Sequence, residues 1–471
     1  MNMNIYQRKH LFSRAGFGVR MDQWDKLKNA SHAEILQYLF SSSNQAEPLI
    51  IREESPFKGA GRPGMLSKEE RQQMMKENRQ LLRDLNIAWV NRMVTTEAQL
   101  REKMTFFWHD HFACRRNGLM INQRQNNTLR KHALGKFGDL VLAIAQDPGM
   151  LLFLNNQQNK KQAPNENFAR ELLELFTLGR GNYTEEDIKE AARAFTGWST
   201  NFKGEFVFRP RRHDNGKKRF MGKMGNFGGE DIINIVLDNP QTATYITTKL
   251  YCFLVNPEVD QEVVASWAKT FYESEYDIAD LLQTIFTSNH FYEKQHVGAR
   301  IKSPVEYLVS LMRLLDMEFE NPEGIVFLEK ALGQVLFMPP GVDGWPDGKN
   351  WIDSNTLMTR LRLPMAIIMA SELKVMPKAD FSGNEDLIKV KEAKKMGKRF
   401  QANINWKPML DFLGSLDEET AFSLLKEYLL QVEAPYITSD FLNAYTRTRS
   451  PEEALKWTSM CLLCTPEFQL C

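Results

Sequence analysis

Apolar residues recur at three- and four-residue spacing along most of this chain, and that period commits it to helix. The stretches are Leu81–Val94, Leu100–Phe112, Leu129–Ala145, Asn167–Leu178, Glu185–Trp198, Ala243–Val255, Asp277–Phe286, Pro304–Leu315 and Thr420–Val432. Start signals agree with the period. Thr184 with Asp187 and Ser303 with Glu306 have capping-box spacing, the second with a proline at the first helical position, and Asn239-Pro240 opens another helix. Gly204–Arg209 is the best strand candidate, and few others compete. The expected fold is mainly α, a large multi-helix globular body with long ordered loops and little strand. At 471 residues it can bury a large core without disulfides or structural metals. Two polar excursions, Glu53–Arg71 and Lys378–Glu385 with the lysines after it, suggest a main body over 1–375 and a C-terminal helical segment over 376–471 packed on it. No internal repeat is visible.

Charge and cysteine usage narrow the function classes. A net charge of +1 leaves no overall footprint for nucleic acid or an anionic membrane. No apolar run reaches the roughly 18–20 residues of a membrane span. The N-terminal residues lack an apolar signal core, and five cysteines spread through a long chain do not form a disulfide framework. A reducing, cytoplasmic setting is expected, with export open if a leader has been removed. Cys461 and Cys464 have CxxC spacing without a second pair, so they are expected to be a reduced, packed helical pair. Gly222–Gly229 has four glycines but no Walker lysine pattern, so it is a weak phosphate loop.

Several segments carry residue types suited to chemistry. In Met104–Phe112, a helical wheel sets His109 and His111 about 200° apart, too far to share one metal from a continuous helix. His111 shares the side of Met104, Phe107 and Trp108, where it is either a satisfied core histidine or a ligand and proton-transfer group. In Asn165–Gly179, Glu166, Asn167, Arg170, Glu171 and Glu174 oppose an apolar arc. They form either a solvated ion-paired face or a carboxylate cluster for a divalent metal or acid–base work. Asp187 is either the cap of Thr184 or a buried functional group. Between Lys203 and Lys223, eight Lys/Arg face two acidic residues around His213-Asp214 and Lys218. Such a loop is either plainly solvated or complements an anionic substrate or the acidic face. Trp345 and Trp351 lie in a Gly/Pro-rich stretch that reads equally as a pocket wall or as rigid packing.

In order along the chain, these segments resemble the bacterial Domain of Unknown Function 1800 family. The likeness rests on His10–Gly18, Phe107–Phe112, Asn165–Gly179, Ala194–Trp198, His213–Lys218 with Gly222, Ile301–Glu306, Gly333–Pro340, Gly344–Pro346 and Pro466–Gln469. It covers essentially the whole chain. The resemblance implies a large bacterial protein of uncharacterised activity, commonly exported and often encoded beside a Domain of Unknown Function 1501 protein. The absence of a leader here departs from that pattern. His111, Glu166, Arg170, Glu171, Glu174, Asp187, His213, Asp214 and Lys218 fall in or beside its motifs.

Together these residues suggest an enzyme with a carboxylate/histidine site that binds a divalent metal and acts on an anionic or polar substrate, as a hydrolase or an oxidoreductase. Expected metal ligands are His111, Glu171, Glu174 and His213 or Asp214; Arg170 and Lys218 would orient an anionic group. Glu166, Asp187, Trp345 and Trp351 would line the pocket, and Trp345 and Trp351 should pack near Asn167–Leu178. The acidic face of Glu166–Glu174 is expected to point inward, toward the His213-Asp214 loop and His111. The rival is a non-catalytic binding or assembly protein whose polar motifs are ion-pair networks.

Overall fold

A computed structural model describes residues 3–54, 67–201, 204–369, 401–440 and 449–471, apart from the side chain of Asp25. Most of the Glu53–Arg71 excursion and all of Lys378–Glu385 lie outside the described residues. The rest is mainly α-helical. Its strands make three two-stranded antiparallel ladders: Trp198–Thr200 with Phe206–Phe208, Lys218–Phe220 with Lys223–Gly225, and Met317–Phe319 with Ala402–Ile404. The candidate strand at Gly204–Arg209 is the second partner of the first ladder.

Caps form where the residues predict them. Thr184 Oγ1 accepts from the Asp187 amide at 3.1 Å, and an Asp187 carboxylate oxygen accepts from the Thr184 amide at 2.9 Å. Ser303 and Glu306 make the same reciprocal pair, with Pro304 at the first helical position. Asn239 caps the helix Pro240–Leu254. Each such cap is worth about 1 kcal/mol to its helix. The helix predicted over Leu81–Val94 runs back to Lys68, because Ser67 and Glu70 form a further capping box and solvated polar turns extend it.

The helix Gln99–His111 lies at the centre, with every residue from Gln99 to His109 buried. A helix with no exposed face must neutralise its polar residues internally. Glu102 takes two bonds from the Arg130 guanidinium at 2.6 and 3.0 Å and one from the Trp89 indole at 2.9 Å. Lys103 pairs with Glu306, and Arg300 lies 3.7 Å from the same carboxylate. His109, on the same buried helix, packs on Trp89 and Phe337.

The predicted helix Asn167–Leu178 divides in two. Asn167–Glu171 is α-helical, and Leu172–Thr177 is a π-helix in which the Leu178 amide bonds to the Leu173 carbonyl at 3.0 Å. A π turn holds more residues than an α turn. A wheel drawn at 100° per residue therefore over-rotates beyond Glu171, and Glu174 does not continue the face begun by Glu166 and Arg170.

The C-terminal residues meet the rest of the chain at several points. Besides the ladder between Met317–Phe319 and Ala402–Ile404, the Tyr428 hydroxyl donates to the Leu314 carbonyl at 3.0 Å. The Lys302 ammonium donates to the Phe468 carbonyl at 2.7 Å. Cys461 lies in the helix Pro451–Leu463, Cys464 caps that helix, and all five cysteines are free thiols. Among the described residues, no helix is long and apolar enough to cross a membrane.

Candidate functional site

The last turn of Gln99–His111 presents three polar side chains in a row, and each is fixed by a different element. The His109 ring is buried beside Trp89, Phe337 and Trp345, and its Nε2 accepts from the Phe337 amide at 3.1 Å. Burial, and then the Arg130 charge, lower its pKa to about 3, so the ring is neutral. His111 stacks on Phe107, and its Nε2–H donates to the Phe176 carbonyl, 3.1 Å away in the π segment. Burial and the Lys249 charge lower it to about 3 as well. Both histidines thus spend Nε2 on the backbone.

Asp110, between them, behaves differently. Its Oδ1 accepts from the Trp345 amide at 2.8 Å. That approach needs a glycine at 344, which has φ +84°; a Cβ there would lie 2.8 Å from the Asp110 carbonyl and closer still to its carboxylate. Burial raises the Asp110 pKa to about 7; Asp347 and Asp343 add to the rise, while the Trp345 amide and Lys249 oppose it. Trp345 and Trp351 are both buried, and Trp345 packs on His109 at 5.4 Å between ring centres.

On the neighbouring segment most charges are committed. Arg170 holds Glu185 with two bonds, at 2.9 and 2.8 Å, and Glu166 with one at 3.2 Å. Glu174 accepts from Arg180 at 2.8 Å and from the Tyr183 hydroxyl at 2.7 Å, which hold its pKa below the usual value. Glu171 is left over: among the described residues no hydrogen bond or ion pair anchors it. Burial raises its pKa, Glu174 and Asp343 add to the rise, and Arg170 opposes it. Asp343 raises the pKa of both Asp110 and Glu171, in each case as a lesser cause than burial.

The basic loop is resolved elsewhere. The His213 Nδ1–H donates to the Thr196 carbonyl at 2.9 Å. Asp214 pairs with Arg193 at 2.8 Å, which holds its pKa down, and Arg193 also holds Glu190 at 2.7 Å. Lys218 donates to the carbonyls of Asp214 and Gly216. Gly197, at φ +86°, lets the loop close, since a Cβ there would meet the Arg209 carbonyl at 2.8 Å. The loop therefore complements the helix Glu185–Ala194, in place of the expected Glu166–Glu174 face. Asp187 is the cap of Thr184 and also accepts from the Met221 amide at 2.7 Å.

The four expected ligands are not drawn together. Among the described residues, one group of His, Cys, Asp and Glu has all its donor atoms within 4.8 Å: His290, Glu293 and His296. His111, Glu171, Glu174 and His213 do not form such a group, because the Phe176 carbonyl takes the His111 proton, Arg180 and Tyr183 hold Glu174, and His213 follows the Thr196 backbone. A separate cavity of about 30 Å³, lined by Lys9, Lys103, Lys302 and Glu306 among others, has room for a water or two but not for a substrate.

The model of the family described as protein of unknown function (DUF1800) matches residues 10–470. The chain belongs to the DUF1800 family. No curated protein and no solved structure matches it. Within this DUF1800 chain, residue reasoning passed over Asp110, Lys249 and Asp343. Asp110 sits inside the quoted Phe107–Phe112 motif, but its pKa is raised by burial and by Asp347 and Asp343, which lie in a loop distant in sequence. The three-residue spacing of His290, Glu293 and His296 was a visible signal.

Proposed function

We propose that this chain is an enzyme that acts on a polar substrate by general acid–base catalysis, with Asp110 as the acid and Glu171 as the base. The observation carrying this reading is Asp110: a carboxyl held by the Trp345 amide at 2.8 Å with a pKa raised to about 7. A carboxyl poised near neutrality delivers a proton at working pH, as general acid catalysis requires. Glu171, a partly buried carboxyl with no anchoring partner, is the base. The π-helix beside it supports the reading, since π turns are frequent at functional sites. His111 acts as a positioning residue by bonding the Phe176 carbonyl of that turn.

Arg170 and Lys218 are less suited to an anionic substrate than their types suggest, because both are fully engaged. The excess of carboxylates around Asp110 favours a neutral or cationic polar group. A divalent cation is the second reading, favoured by the Asp343 and Asp347 carboxylates near Asp110; their donor atoms do not already lie within 4.8 Å of one another, so a cation would have to draw them in, and oxygen donors of this kind suit Mg²⁺, Ca²⁺ or Mn²⁺. Whether the reaction is hydrolytic or oxidative follows from the substrate. The test is a panel of glycosides, esters, amides and alcohols offered to wild type, Asp110→Asn and Glu171→Gln, with and without Mg²⁺ or Mn²⁺. A turnover that falls about 100-fold or more in both folded variants supports the assignment. A turnover that both variants retain contradicts it.

A further inference from the structure

We infer that His290, Glu293 and His296 form a binding site for a divalent transition metal of the zinc or cobalt type, apart from the acid–base group at Asp110. The local backbone sets up the site. Residues His290–Tyr292 form a 3₁₀ turn, and the i→i+3 bonding continues: the Glu293 amide bonds to the His290 carbonyl at 3.2 Å, and the His296 amide to the Glu293 carbonyl at 2.9 Å. Glu293 is extended between the two turns (φ −62°, ψ 145°), and together the turns bring the two imidazoles and the carboxylate into one group, with a donor atom of each within 4.8 Å of the others.

The donor atoms are close to ligand geometry. His290 Nδ1 lies 3.7 Å and His296 Nε2 lies 3.9 Å from the two oxygens of Glu293, and the imidazole centres are 4.4 Å apart. Donors bound tetrahedrally at 2.0–2.1 Å sit about 3.3 Å from one another, so each histidine–Glu293 distance must close by roughly half an ångström, with all three donors already within 4.8 Å. His296 points to a ligand independently: it is 3% exposed, and its Nε2 is buried without a hydrogen-bond partner. An orphaned polar nitrogen of this kind is costly unless something fills the space beside it. Glu293 is half exposed, which leaves solvent access and an open fourth position.

The surroundings decide how tightly the metal is held. The Tyr251 hydroxyl sits 2.9 Å from His290 Nε2, so that ring can keep its proton there and offer Nδ1. Asp260 favours positive charge beside His296, and Arg14 opposes it. Glu293 also accepts from the Gln295 amide at 2.8 Å. Asn256 is the restraint. Its Nδ2 faces His296 Nδ1 at 3.0 Å, which places the ring proton on Nε2, while its Oδ1 accepts from the Glu258 amide at 2.9 Å. Ligation through Nε2 moves the proton to Nδ1, so the Asn256 amide must turn and give up the Glu258 bond. An aspartate at 256 accepts from both the ring and the Glu258 amide, the carboxylate–histidine arrangement of many zinc sites.

The experiment titrates Zn²⁺, and Co²⁺ as a spectroscopic probe, into the chelator-treated full chain by calorimetry and visible absorption. One equivalent should bind, with cobalt bands of low coordination number. Glu293→Gln and His290→Ala, at partly exposed positions, should weaken affinity at least tenfold, and Asn256→Asp should tighten it about tenfold. Circular dichroism establishes that each variant is folded. A wild type that binds neither ion at millimolar concentration overturns the site. So does binding that is equal in wild type, Glu293→Gln and Asn256→Asp.

Discussion

The basic loop around His213 and the acidic group around Asp110 both lie within the residues that match the family, yet they resolve their charges in opposite ways. In the loop, Arg193 is shared between Glu190 and Asp214, Lys218 is bonded to two carbonyls, and His213 follows the backbone. Each of these groups has a close partner of opposite sign or a backbone oxygen. At the other end, Asp110 and Glu171 are crowded by Asp343 and by burial, and Lys249 and Arg170 offset this only in part. Motif membership alone does not separate structural from functional polar residues. Whether the fold satisfies them does, because strained ionisation is what chemistry uses.

The contrast can be broken by mutation. The largest effect is expected at Arg193→Ala, which strips Glu190 and Asp214 of their shared partner while both are largely covered. A loss of about 2–4 kcal/mol in urea denaturation is expected, since one half of a paired charge is left unsatisfied. A loss below about 0.5 kcal/mol would show that the loop is not the satisfied region it is taken for.

Asp110→Asn should act in the opposite direction. The folded pKa of Asp110, about 7, exceeds its unfolded value, so the folded state binds a proton that the unfolded chain releases between roughly pH 4 and 7. The wild type therefore loses stability from this group as pH rises through that window. Relative to wild type, Asp110→Asn should be neutral below about pH 4 and more stable by about 1–3 kcal/mol at pH 8. Thermal melts of the pair across pH check this. A difference that does not change with pH would contradict the assignment.

The smallest effect is expected at Arg170→Ala. Its partners Glu166 and Glu185 are exposed by 38% and 68%, so their pairing is screened by solvent. Stability should change by no more than about 0.5 kcal/mol. A larger loss would move that helix from the solvated surface into the structural core.

Much of the helical frame was legible because local rules govern it: the caps at Thr184 and Ser303 and the apolar period of Pro304–Leu314 depend on neighbouring residues. The π turn at Leu172–Thr177 was not, since a continuous wheel fits the same residues. The assembly of sites was hidden for a different reason. Asp110 is buried against the Trp345 loop and Asp214 meets Arg193 through tertiary packing, so what sets each charge state is not written beside it. Basic residues near His213 suggested a complement for Glu171, but a nearer helix supplied Glu190 first.

The central claim is that Asp110 is a carboxyl poised near neutrality, and its own titration tests this most directly. Carbon-13 NMR of labelled aspartate side chains, with Asp110→Asn for assignment, follows that single carboxyl from pH 3 to 9. A midpoint near 7 is expected, in a signal that Asp110→Asn removes. A midpoint in the ordinary aspartate range, about 4, would contradict it.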